Sequence, residues 1–325
     1  MASLLILVGQ VAWPVMPIAL VATVGLAGLA WRSRRLRHTT LRAVWWWSFG
    51  AFWAVAVVEL LATLAGSHIE GSLDVLRYAA AMLTFCPMMA VLGAKRPQNR
   101  AWQWIVLSLW FILLIPAIQW WLYRPGTTMH VFTAWKLFLF IQIVIGLVNY
   151  LPTRYWASAL LATAGQVLFV SNHLPLVGFS LPYVAEAEMG PLLGLAALAS
   201  AAWMVHVADL RCRRPSPGVN RVWIDFRDLF GVIWAMRVGQ QINTYSAMYG
   251  WHISLQWSGL RRIGPEETDT EETVGGATTS ADPASESQMS EQTAAALRKS
   301  LRNALRRFVP AEWIAERFET EAPGS

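Results

Sequence analysis

Charge is scarce in this chain. Only 14% of its 325 residues are Asp, Glu, Lys or Arg, against about 25% in an ordinary soluble domain. The shortage falls in the first two thirds, where one apolar run follows another. That pattern excludes a soluble globular fold there. Cysteine is nearly absent, with Cys86 and Cys212 alone. One lies in an apolar run and the other in a charged segment, so no disulfide is expected. Enzyme signatures are missing as well: there is no Walker motif, no dinucleotide fingerprint, no Gly-x-Ser-x-Gly and no His-Glu-x-x-His. These absences favour a non-enzymatic protein. No inverted repeat is visible, which argues against the common secondary-transporter folds. The first apolar stretch lacks a basic leader and is too long for a signal-peptide core, so it reads as a span.

What is present is hydrophobic: 55% of the residues are apolar. Runs of about 18 or more apolar residues read as membrane-crossing helices, because backbone polar groups in lipid must be satisfied within the segment. The runs predict about seven, near 4–30, 43–66, 73–94, 101–122, 129–150, 156–176 and 189–209. The fold class is therefore an all-α polytopic membrane protein with a cytoplasmic tail, placed in the plasma membrane or a bacterial inner membrane. Basic residues alternate sides. Odd loops carry Arg32, Arg34, Arg35, Arg37, Arg42, Lys95, Arg96, Arg100 and Arg154, and Arg211, Arg213 and Arg214 follow the last span. Even loops hold only Arg77 and Arg124. The positive-inside rule then puts the N-terminus outside and the tail in the cytoplasm. The same placement explains the net charge of +6 without nucleic acid.

Tryptophan is abundant, with 19 residues. Trp31, Trp45, Trp46, Trp47, Trp102, Trp104, Trp120, Trp121 and Trp156 lie near predicted span ends, as expected of an interfacial belt. Gly190, Gly194, Ala197 and Ala201 form a small-residue stripe on the last span, which lets another helix approach closely.

The organisation predicted is a bundle over 1–210, an interfacial amphipathic segment over 211–262, an acidic disordered linker over 263–293 and a basic amphipathic helix over 294–325. In the second segment Val222, Phe226, Leu229, Ile233 and Met236 recur at helical spacing, with Asn220 as N-cap. Residues 264–292 hold eight acidic residues and no basic one, a composition that favours disorder. In the last segment Leu297, Leu301, Leu305 and Phe308 form a stripe amid Arg298, Lys299, Arg302, Arg306 and Arg307. Such a helix suits anionic membrane lipid or a cytoplasmic protein partner.

Ionisable groups within spans are functional hypotheses by default. Glu59 and Lys136 fall ~12 Å from the outer side at the helical rise, and matching depth suggests a buried ion pair. Such a pair is also the site a transporter would use. Met82, Cys86 and Met89 follow one another at i, i+4 and i+7 beside Pro87, a soft donor set that suits copper. His206 and Asp209, near the inner end, suit capping or salt bridging.

His68, His130 and His173 share the outer level, and imidazole ligates both metals and haem. The outer turn Gln119-Trp120-Trp121-Leu122-Tyr123-Arg124 precedes His130. A Trp-rich outer loop flanked by outer histidines resembles the layout of the cytochrome c maturation proteins that handle haem, although their Trp-Trp-Asp signature is missing. The resemblance implies two of the histidines on iron, Trp120 and Trp121 against the macrocycle, and Arg124 on a propionate. Three functions follow: handling haem, or less readily copper, on the outer side; anchoring a tail that recruits a cytoplasmic partner; or transport through Glu59 and Lys136.

Overall fold

The computed structural model describes residues 2–36, 38–65, 70–96, 99–123, 132–171, 189–211, 218–263 and 289–319. The chain divides into two compact units, Met1–Cys212 and Arg213–Ser325.

The first unit is helical: α1 (Ala2–Leu36), α2 (Arg42–Ala65), α3 (Glu70–Leu83), α4 (Cys86–Leu92), α5 (Asn99–Leu113), α6 (Ile115–Tyr123), α7 (Thr133–Tyr150), α8 (Trp156–Val170) and α9 (Gly190–Arg211). Among the described residues six helical stretches are long and apolar enough to cross a membrane: Val15–Leu36, Arg42–Ala65, Leu73–Leu92, Arg100–Tyr123, Thr133–Tyr150 and Gly190–Arg211. The protein is therefore membrane-embedded. The apolar helix Trp156–Val170 is shorter, and positions 172–176 of the span expected over 156–176 lie outside the described residues.

Two of the six stretches are broken, each at a proline. Pro87 sits in the first turn of α4 and Pro116 in the first turn of α6. Proline has no N–H to give and crowds the preceding turn, so carbonyls at the break lose their helical donors. In lipid those acceptors need partners from neighbouring helices. The Gln166 amide donates to the Thr84 carbonyl at 2.8 Å, and the Tyr78 hydroxyl donates to the Leu113 carbonyl at 3.1 Å. The kinks thus become points of attachment between helices.

Close approach in the bundle depends on glycine. A Cβ on Gly25 of α1 would lie 2.1 Å from the buried Phe52 ring of α2. On α9, Gly194 meets the Phe169 ring of α8, and its carbonyl is 3.0 Å from where a Gly165 Cβ would stand. The small stripe of the last span is thus a packing seam against α8.

Indole N–H groups add to the joints. Trp45 donates to the Leu29 carbonyl at 2.7 Å, Trp102 to Met89 at 2.8 Å, Trp110 to Ala79 at 3.2 Å and Trp203 to Val24 at 2.9 Å. Trp47 donates to the Gln103 side chain at 2.6 Å. The expected belt is therefore divided. Trp31, Trp46, Trp104, Trp121 and Trp156 are exposed, as belt residues should be. Trp45, Trp47 and Trp102 instead act as helix-to-helix hydrogen-bond donors.

The second unit has its own core. It comprises α10 (Val219–Tyr249), the hairpin β1 (Ile253–Gln256) and β2 (Gly259–Arg262), α11 (Glu291–Leu305) and α12 (Ala311–Phe318). Gly231, at φ 78°, interrupts α10 in a conformation that L side chains rarely adopt. Phe226 and Phe230 stack at 4.8 Å. Phe308 meets Phe226, Phe230 and Trp234 edge-on at 5.3, 5.3 and 4.9 Å, the geometry aromatic quadrupoles favour. The strands are antiparallel with Leu255 opposite Leu260. Asn243 of α10 holds Leu255 through both its backbone N–H and its carbonyl, while Asn220 accepts from Leu260 N–H at 2.8 Å. Ser290 caps α11 by accepting from Thr293 N–H. Arg317 of α12 pairs with the buried Asp225 of α10 at 2.8 Å.

The segment read as an interfacial helix and the terminal basic helix belong to one folded unit. The Leu297, Leu301 and Leu305 side chains are fully buried, so that stripe faces protein and does not face lipid. The basic residues Arg298, Lys299, Arg302, Arg306 and Arg307 stay exposed. The stretch expected as the acidic linker lies mostly outside the described residues.

Candidate functional site

Four arrangements carry the chemistry. The first is the intramembrane carboxylate. Glu59 on α2 is buried, and Arg77 on α3 clamps it through two hydrogen bonds, Nε to Oε1 at 3.2 Å and a terminal nitrogen to Oε2 at 3.1 Å. The bidentate fork is the strongest geometry this pair has. Arg77 thus occupies the carboxylate that the sequence suggested for Lys136. α2 packs on α1, α3, α4 and α9, and α7, which carries Lys136, packs on α8. Depth agreement along two helices does not make them neighbours.

The second is the aromatic site expected on the outer side. Trp120 is buried in a core of Tyr78, Phe85, Leu113 and Ala117, packed with Trp135 and Phe138. Trp121 is 60% exposed. Adjacent residues on a helix point about 100° apart, so the two indoles do not form one platform for a macrocycle. His68, His130, His173 and Arg124 lie outside the described residues.

The third is the soft donor set. Met82 packs with Tyr78 and Leu113, whereas Cys86 packs with Ala90 and Val106 in a different cluster. The turn at Thr84 and Phe85 separates α3 from α4, so the register that put Met82, Cys86 and Met89 on one face is interrupted. The Met89 sulfur accepts from the Gln142 amide at 3.5 Å. Among the described residues no group of three or more His, Cys, Asp or Glu side chains converges on a metal position.

The fourth arrangement was only partly legible. Asp209, near the C-terminal end of α9, gathers side chains from α1 and from the turn between α7 and α8. Its carboxylate accepts from Arg32 of α1, from Arg35 at 2.9 Å and from the Tyr155 hydroxyl at 2.7 Å. Arg154 stands 3.6 Å away, and its guanidinium lies 5.0 Å from the Tyr155 ring centroid. Burial pushes the Tyr155 phenol above its ordinary pKa, and the Arg32 and Arg154 charges pull it back in part. The phenol therefore stays protonated and donates. One turn away, His206 meets the Gly28 carbonyl at 3.0 Å, which requires its Nε2 to carry the proton. The sequence pairs Asp209 with His206 at i, i+3 and gives no sign of Arg32 or Arg154, which are distant along the chain.

The second unit presents an open groove of 340 Å³ between the C-terminal half of α10 and the end of α11. Gln241, Tyr245 and Tyr249 form one wall, and Ser300, Asn303, Arg306 and Arg307 form the other. The helical spacing of 241, 245 and 249 brings three polar groups to one face every turn. In the bundle, by contrast, the buried polar groups described above are spent on holding helices together.

No protein-family model, curated protein or solved structure matches this chain.

Proposed function

We propose that this protein is a membrane anchor whose C-terminal unit, on the cytoplasmic side, recruits a soluble partner. The observation that carries the reading is the self-contained core of residues 218–263 and 289–319, with a polar groove at its surface. A tail serving only as a weak lipid contact needs neither. Sidedness draws on the basic loops: Arg32 to Arg42, Lys95 to Arg100 and Arg154 alternate with nearly uncharged ones across the seven spans expected from the sequence. Tethering to a membrane raises the effective concentration of whatever the unit binds. Haem handling on the outer side, the alternative, draws no support from Trp120, whose ring is enclosed by protein.

The test is site-specific photocrosslinking in the membranes of the cell that makes the protein. The probe is placed at Met248, an exposed position of α10, or at Trp121, an exposed position of the bundle. The expected result is a discrete, saturable adduct with a soluble protein from Met248 and none from Trp121. Identical adduct patterns from both positions, or none from Met248, would overturn the reading.

A further inference from the structure

The groove of the C-terminal unit is lined almost entirely by hydrogen-bond donors. Arg306 and Arg307 bring two full positive charges, Ser300 and Asn303 add a hydroxyl and an amide, and no carboxylate lines the groove. Gln241 donates its amide N–H to the Tyr245 oxygen at 3.1 Å. That bond occupies the phenol as an acceptor, so the Tyr245 hydrogen is left to donate. Among the described residues neither Arg306 nor Arg307 has a carboxylate partner. The helix dipoles oppose an anion here, because both α10 and α11 approach the groove with their C-terminal ends. Each end is worth roughly half a negative charge, which leaves a surplus of about one positive charge after the two arginines.

We propose that this groove binds a phosphate monoester, with Arg306 and Arg307 gripping the phosphate oxygens and Ser300, Asn303 and Tyr245 donating to the remainder. Planar guanidinium forks suit phosphate oxygens. The volume of 340 Å³ holds a phosphate and one sugar-sized ring, at the lower end of small-molecule sites. The exposed mouth allows the ester to come from a soluble molecule or from a lipid headgroup. The inference rests on the reading of the C-terminal unit as the receptor part of the chain.

The test is calorimetric titration of the full chain. The soluble arm uses detergent-purified protein with inorganic phosphate and with glucose 6-phosphate, a monoester on one sugar ring. The lipid arm uses protein in phosphatidylcholine vesicles with and without phosphatidylinositol 4-phosphate. Two variants remove the same charge: Arg306→Gln with Arg307→Gln inside the groove, and Lys299→Gln with Arg302→Gln on α11, outside it. The expected result is saturable binding that the groove variant weakens at least about tenfold, the scale of one lost charge-assisted bond, while the control variant changes it little. Saturation in the soluble arm identifies a soluble ester; saturation only with phosphatidylinositol 4-phosphate identifies a lipid headgroup. Equal weakening by both variants, or no saturation in either arm, would overturn the proposal. Phosphate binding without the Met248 adduct would sink the recruitment reading alone, and the adduct without phosphate binding would sink this inference alone.

Discussion

Replacing Asp209 with Asn should be the most damaging single polar change in the membrane unit. The Asp209 side chain is 8% exposed and that of Arg32 12%. Arg154 is buried to the same degree as Arg32. Asparagine is nearly the same shape but carries no charge, so two buried guanidinium groups lose their shared counter-ion. Removing one partner of a buried pair costs about 3–5 kcal/mol, because the charge left behind stays out of water. Arg35 reaches the same carboxylate but is 49% exposed, so Arg35→Ala should cost about 1 kcal/mol or less. Cys86 supplies the assay. It is a fully buried thiol in the same unit, and Cys212→Ser leaves it as the single cysteine. The rate at which a thiol reagent labels Cys86 then reports opening of the bundle. A loss of about 3 kcal/mol corresponds to roughly a hundredfold faster labelling when opening is a pre-equilibrium. Labelling of Asp209→Asn within threefold of the parent, or equal acceleration by Arg35→Ala, would refute the clamp.

Arg77→Ala should destabilise the same unit by about 2 kcal/mol or more, somewhat below the fully buried range since Arg77 is 40% exposed. Adding Glu59→Gln should restore part of the loss, and Lys136→Ala should be nearly silent; a large Lys136 effect would return that residue to the pair. Gly25→Ala places a methyl 2.1 Å from Phe52, a ring only 3% exposed, and should cost about 1–3 kcal/mol. Phe52→Leu on that background should recover stability, and no recovery would locate the strain elsewhere. The raised pKa of Tyr155 means that the folded state keeps a phenol proton that the unfolded state loses above about pH 10. Its contribution is complete below that pH and declines above it. Thermal midpoints of Tyr155→Phe should therefore fall less steeply than the parent's between pH 10 and 11.5, and parallel falls would remove Tyr155 from the clamp.

The membrane class was legible because lipid leaves few options. Hydropathy alone marks helices such as Arg42–Ala65 and Gly190–Arg211, and the stripe at Gly194 correctly signals a seam. Helix adjacency was not legible, since periodicity describes one helix at a time. Glu59 and Lys136 share a depth, yet Arg77 holds Glu59 because α3 is the neighbour of α2. The copper reading assumed continuous helical register across Pro87, where the turn at Thr84 and Phe85 breaks it. In the tail the pattern of Leu297, Leu301 and Leu305 gave the correct buried face. What covers it, the aromatic face of α10, required the fold, because amphipathicity shows that a face is covered without saying by what. The groove left no signal, since Tyr245 and Arg306 are brought together only by that packing.

We propose that the C-terminal unit performs the protein's task and that the bundle anchors it. The most direct measurement is the yield of the Met248 crosslinked adduct in three forms: the full chain, a chain with His68, His130 and His173 replaced by Ala, and a chain ending at Ile263. The third lacks α11 and α12, and with them the Leu301 and Phe308 side chains that complete the core. The expected result is an unchanged yield in the histidine variant and loss of the adduct on truncation. Loss in the histidine variant with the truncated chain unaffected would contradict the account and place the task on the outer side of the membrane.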